Sequence, residues 1–198
     1  MPYGIMALAL VDALPVVVIL AAVGAHIYWI NACNGAIGRA TLNGRRINQS
    51  FITGLASMPA CGPNSLAADE KHIYWANLSK GAIGRAKVDG SGIDENFIPT
   101  GLGVQSVAVD ATHVYWTNLN GSVMKVPLEG GAAVLLATDT ANPAAIVVDA
   151  THVYWTNYWG GAVRKVPLEG GAVTTLASNQ GNPFGLAVDA TSVYWTNY

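Results

Sequence analysis

His113-Val114-Tyr115-Trp116-Thr117-Asn118 and His152-Val153-Tyr154-Trp155-Thr156-Asn157 are one hexapeptide written twice, and three near-copies accompany them. These are His26-Ile27-Tyr28-Trp29-Ile30-Asn31, His72-Ile73-Tyr74-Trp75-Ala76-Asn77 and Ser192-Val193-Tyr194-Trp195-Thr196-Asn197. Their first residues are spaced by 46, 41, 39 and 40. The five Tyr-Trp pairs use most of the tryptophan and tyrosine of the chain, which has 6 Trp and 8 Tyr, so the aromatics serve the repeat rather than a separate cofactor box. Other features keep phase with the pair. Pro-x-x-Leu/Ile-x-x-Asp precedes it at Pro63 to Asp69, Pro143 to Asp149 and Pro183 to Asp189, and the third unit keeps Val107-Ala108-Val109-Asp110. A Gly-led run follows it, from Gly35 to Ala40, Gly81 to Ala86, Gly121 to Val126 and Gly161 to Val166. Hairpin-type dipeptides come next: Asn43-Gly44, Asp89-Gly90, Gly130-Gly131 and Gly170-Gly171.

Each unit thus reads as four short β runs joined by turn chemistry, with no stretch of helical periodicity. A period near 40 with four strands per unit predicts an all-β chain, a β-propeller of four-stranded blades. One such sheet cannot bury both faces alone; neighbouring sheets bury each other's. That accounts for strands apolar on both sides, without clean alternation.

The unit resembles the YWTD repeat of the low-density-lipoprotein-receptor class B type, in a YWTN-like variant that is similar to bacterial secreted proteins. The motifs that carry the resemblance are Tyr-Trp-Thr-Asn, the Val/Ile-x-Arg/Lys run, the Gly turn and Pro-x-Gly-Leu-Ala-Val-Asp. They extend over about Ala25 to Tyr198, and the unit from Val153 to Trp195 matches nearly throughout. The resemblance implies a six-bladed propeller and a binding role. One departure is consistent: Asn31, Asn77, Asn118, Asn157 and Asn197 stand where the family has Asp. An amide still bonds backbone but carries no charge, which speaks against a calcium role there.

Repeated residues hold a fold, and departures from the repeat are free to specialise. His26, His72, His113 and His152 fall at the same repeat position on different blades. They open strand two and do not converge on a metal. Asp69, Asp110, Asp149 and Asp189 read as turn formers. Arg39, Arg85, Lys125 and Lys165 on strand three read as blade-to-blade hydrogen-bonding groups. The departures are Tyr158 and Trp159, directly after Asn157, and Phe184. Strand alternation puts the loop between strands two and three on the same face as the link into the next blade. Tyr158, Trp159 and Phe184 are therefore the candidate ligand-binding residues, suited to a protein or carbohydrate.

No catalytic, metal-binding or cofactor motif is present: neither Gly-x-Ser-x-Gly, nor His-Glu-x-x-His, nor a P-loop. A net charge of −2 without a basic run argues against nucleic acid and membrane lipid as partners. The leading expectation is a non-catalytic binding module, in which case no cofactor is needed. The alternatives are a propeller enzyme of the streptogramin-lyase or gluconolactonase type, or a truncated fragment without independent function.

Residues 1–24 form an apolar segment, read as an extra strand or a degenerate signal, ahead of one repeat domain over residues 25–198. Val16-Val17-Val18-Ile19 favours a strand. The two cysteines, Cys33 and Cys61, fall in loops of the same face and are expected to pair as a disulfide in an oxidising, extracytoplasmic compartment (secreted or cell envelope). Four units are complete, and a fifth contributes two strands. An incomplete six-bladed ring, self-associating through open terminal blades, is the expected closure; a closed five-bladed ring is the rival.

Overall fold

A computed structural model describes residues 20–31, 35–55, 63–101, 103–139 and 141–198. Cys33, Cys61, Val16 to Ile19 and the rest of residues 1–19 lie outside the described residues. The described residues form strands and turns and no helix. They fall into two compact units, residues 1–103 and 104–198.

The first unit holds two sheets, each a meander of four antiparallel strands in sequence order. The first comprises β1 (Leu20–Val23), β2 (His26–Asn31), β3 (Ala36–Thr41) and β4 (Asn48–Ile52). The second comprises β5 (Ser65–Ala68), β6 (His72–Asn77), β7 (Ala82–Lys87) and β8 (Asp94–Pro99). Ile30, Ile37, Ile52 and Leu55 from one sheet pack with Leu66, Ile73 and Trp75 from the other, so each sheet buries a face that neither could bury alone. The register Trp75↔Gly84 explains an unusual choice in strand three. The Trp75 indole lies across the Gly84 backbone, where a Cβ would overlap the ring, and Trp29 and Gly38 repeat the arrangement. The basic residue of strand three ties sheet to sheet: Arg39 Nη1 donates to the Val88 carbonyl at 3.2 Å, beside the Tyr28 hydroxyl at 3.0 Å.

The second unit holds β9 (Val104–Val109), β10 (His113–Asn118), β11 (Ser122–Pro127) and β12 (Val134–Thr138) as one four-stranded sheet. A second such sheet comprises β13 (Pro143–Val148), β14 (His152–Asn157), β15 (Ala162–Pro167) and β16 (Thr174–Ala177). β17 (Pro183–Val188) and β18 (Val193–Asn197) form a two-stranded sheet. Tyr115, Val123 and Leu136 meet Ile146, Val153 and Trp155 between the first two sheets. Tyr154 and Val163 then meet Leu186 and Trp195 of the third. Lys125 Nζ donates to the Leu168 carbonyl at 2.7 Å, repeating the tie made by Arg39. Strand four is outermost in each four-stranded sheet, and its side chains Val134, Leu135 and Leu176 are correspondingly exposed.

Candidate binding face

The repeated aspartates Asp69, Asp110, Asp149 and Asp189 fix one end of four of the five sheets, the first sheet having Val23 at that position. In Asp110 one carboxylate oxygen accepts from the backbone N–H of Thr112 and His113, each at 2.7 Å, and the other accepts from the Tyr115 hydroxyl at 2.7 Å. Asp149 and Asp189 repeat this with Tyr154 and Tyr194. Burial pushes the carboxyls of Asp110 and Asp149 up, but these hydrogen bonds outweigh it and leave both below the ordinary aspartate range. Asp189, with the same bonds in solvent, falls to about 2. Burial and the adjacent Asp149 hold Tyr154 up at about 12. The aspartates are turn formers, and His72, His113 and His152 each open strand two beside such a turn. In the first unit this end carries a shallow depression of about 410 Å³ between Glu70, Lys71, His72, Lys87, Val88 and Asp89. Among the described residues no group of three or more His, Cys, Asp or Glu is placed to hold a metal ion.

The opposite end of the second unit is built differently. Four short segments meet there: 118–121, 139 with 141–142, 157–161, and 178–184. Backbone bonds clamp them together. Asp139 N–H donates to the Gly121 carbonyl, Gln180 N–H to Gly161 at 2.9 Å, Tyr158 N–H to Asn142 at 3.1 Å and Tyr198 N–H to Gly181 at 3.0 Å. Asn142, Asn179 and Asn182 take left-handed backbone angles, with φ of 59°, 56° and 46°, a conformation that Asn adopts more readily than branched residues do. Side chains lock the same corner. Asp139 is buried, and its Oδ2 accepts from Trp155 Nε1 at 2.9 Å, from Asn157 Nδ2 and from Arg164 Nη1 at 3.0 Å. In the next repeat, Gln180 Oε1 accepts from Trp195 Nε1 at 2.9 Å and Asn197 Nδ2 at 3.2 Å. In these two repeats the Trp-x-Asn pair is a two-donor fork whose acceptor comes from the linker ahead of the sheet, whereas Trp29 and Asn31 find theirs in Gln49 of their own strand four.

On this frame stand the aromatics singled out in sequence. The Tyr158 ring meets Trp159 edge-on, with centroids 4.9 Å apart at 89°, and meets Phe184 at 6.2 Å and 84°. Phe184 meets Tyr198 at 6.5 Å and 70°. Four rings form a row, and three of them are open to solvent: Trp159 at 72%, Phe184 at 42% and Tyr198 at 91%. The structure therefore brings Tyr158, Trp159 and Phe184 together and adds Tyr198. Sequence reading passed over Tyr198, although Thr196-Asn197-Tyr198 repeats Thr156-Asn157-Tyr158. It also passed over Asp139, whose one signal was a lone acidic residue three positions ahead of Asn142-Pro143.

No known protein family's sequence profile matches the chain. No curated protein sequence matches it either. Solved structures do match. A chain of the nidogen/laminin complex aligns over 87% of this chain and 68% of its own, with 24% identity and a TM-score of 0.77. Virginiamycin B lyase from Staphylococcus aureus aligns over 93% of this chain and 65% of its own, with 17% identity and a TM-score of 0.72. A streptogramin B lyase aligns over 87% and 58%, with 16% identity and a TM-score of 0.70. The chain thus spans about two thirds or less of the length of the lyases. The fold is all-β, a β-propeller of four-stranded blades.

Proposed function

We propose that the chain is a non-catalytic binding module of the YWTD-like propeller type, acting outside the cytoplasm and contacting its ligand through the loop face around Tyr158, Trp159 and Phe184. The observation that carries this reading is the aromatic row itself. Trp159 and Phe184 expose apolar rings on a scaffold whose loops are pinned by backbone bonds and by the buried Asp139, and rigid exposed aromatics are the usual anchors of binding surfaces. One of the similar structures is of a complex between two proteins, which agrees with a binding role for this fold without extending to this chain's partner. The test is direct binding of candidate ligands to the wild type and to Trp159→Ala and Phe184→Ala. Retained folding with lost binding supports the reading, and binding unchanged in both variants refutes it.

The second reading is a lyase-like enzyme, favoured by the likeness in fold to the streptogramin B lyases. At such identities a fold carries no chemistry by itself. Turnover of cyclic peptides, lactones or sugars by the purified chain, lost when a divalent metal is removed, would establish it over the first.

A further inference from the structure

The aromatic row differs from the rest of the second unit in charge. Among the described residues of segments 118–122, 138–143, 157–161 and 177–184, the acidic side chain is Asp139, and it is buried and bound to Arg164. The buried acid of this face is therefore neutralised by Arg164, which keeps about a third of its side chain in solvent. At the opposite end of the same sheets stand Asp110, Glu129, Asp149, Glu169 and Asp189 with His113 and His152. One end of the unit is ionic, and the other is aromatic and amide-bearing.

We propose that this face binds a neutral carbohydrate, a proposal that rests on the loop-face reading above and names its ligand class. Three features of the face meet what an uncharged sugar offers. The rings of Trp159, Tyr158, Phe184 and Tyr198 follow one another at 4.9, 6.2 and 6.5 Å, steps on the scale of one pyranose ring. Near-perpendicular neighbours make a floor and a wall, against which the C–H face of a sugar packs as apolar surface while its hydroxyls point away. Asn142 and Asn182 flank Tyr158 and Phe184, and an amide both donates and accepts, as a hydroxyl partner must. The third feature is the missing charge. A sulfated or uronic-acid ligand, or an acidic or basic peptide, would find no counter-charge outside the Asp139–Arg164 pair, and desolvating its own charge there would cost affinity. A neutral sugar incurs no such cost. The backbone bonds from Tyr158 N–H to Asn142 and from Tyr198 N–H to Gly181 hold the ring-bearing segments in place before any ligand arrives, which limits the ordering cost of binding.

The experiment is a titration of the whole chain, read by tryptophan fluorescence and calorimetry. The ligands are neutral oligosaccharides of glucose, galactose, mannose and N-acetylglucosamine, set beside their sulfated and uronic-acid counterparts. Trp159 is the most exposed tryptophan of the second unit and reports its own surroundings. We expect binding of at least one neutral series, insensitive to salt, with affinity reduced about tenfold or more in Trp159→Ala and in Phe184→Ala. Both side chains are exposed, so unchanged circular dichroism and melting are expected to accompany the loss. No binding of any neutral sugar, or binding of the anionic series alone with salt sensitivity, overturns the proposal. A defined protein ligand lost in Trp159→Ala, with no sugar bound, overturns the carbohydrate and leaves the loop-face reading standing. Sugar binding that neither variant weakens overturns both.

Discussion

Replacing Asp139 by leucine tests whether the donor fork under the aromatic face contributes stability. Asp139 Oδ2 is the acceptor for three donors, two of which sit on fully buried side chains, Trp155 and Asn157. The third, Arg164, keeps about a third of its side chain in solvent and can turn to water. Leucine has nearly the shape of aspartate and excludes water without accepting a bond. Each buried orphan donor costs ~1–3 kcal/mol. The Arg164 pair, being partly exposed, adds no more than ~1 kcal/mol. The leucine side chain returns ~1.5–3 kcal/mol by its own burial. The middle of these ranges is a net loss of about 2 kcal/mol for Asp139→Leu. Asp139→Asn keeps one oxygen and should lose less.

The chain contains its own reference state for this substitution. Leu55 occupies in the first unit the position that Gln180 occupies in the second. Each follows a residue with left-handed backbone, Gly54 at φ 74° and Asn179 at φ 56°. Each donates its N–H to a glycine carbonyl, Leu55 to Gly35 at 3.2 Å and Gln180 to Gly161 at 2.9 Å. Leu55 packs against Trp75, and Trp75 Nε1 and Asn77 Nδ2 are buried without a partner among the described residues. Leu55→Gln would offer them the oxygen that Trp195 and Asn197 find in Gln180. Two donors satisfied at ~1–3 kcal/mol each, against ~2 kcal/mol of lost apolar burial, leave the variant as stable as wild type or up to about 4 kcal/mol more stable. Urea unfolding followed by fluorescence and far-ultraviolet circular dichroism reads both variants. A cost below about 1 kcal/mol for Asp139→Leu, or a loss in Leu55→Gln as large as a leucine truncation at ~3 kcal/mol, would refute the reasoning.

Three further outcomes are expected. Gly84→Ala drives a methyl into the Trp75 ring and should destabilise by ~1–3 kcal/mol in urea unfolding, whereas Gly24→Ala, with open space around it, should cost only backbone strain. Asp110 and Asp149 have folded pKa values below the unfolded one, so their stabilisation is present above pH ~4 and lost as pH falls through the depressed values. Tyr115→Phe removes one donor to Asp110, and an acid-unfolding titration should place its midpoint at higher pH than wild type. Cys33 and Cys61 are expected to alkylate only after reduction in protein from an oxidising compartment; two alkylated thiols without reductant, by mass spectrometry, would reject the pair.

How far the sequence could be read follows from what repeats. The hexapeptide around each Trp recurs in all five copies, the turn Asp in four and the basic residue of strand three in the four four-stranded sheets, because sheets of one kind have the same contacts to satisfy. Their roles were legible, and Arg39 and Lys125 do tie sheet to sheet as expected. Trp159 and Phe184 stood out for the opposite reason, as aromatics that no other copy of the repeat carries, whereas the Tyr158 position recurs in Tyr198. Asp139 belongs to neither group. The fork it serves is repeated, but its acceptor is not, being Asp139 in one linker, Gln180 in another and replaced by Leu55 in a third. A demand met by different residues at shifting positions leaves no periodic trace, so it shows only in coordinates. The same irregularity separates the two ends of the second unit. The aspartate turns are uniform because they hold each sheet together, whereas the linkers that feed the aromatic face vary in length, in acceptor and in ring content. Variation at that end, upon a frame held constant at the other, is the pattern that the proposed binding face predicts for the second unit.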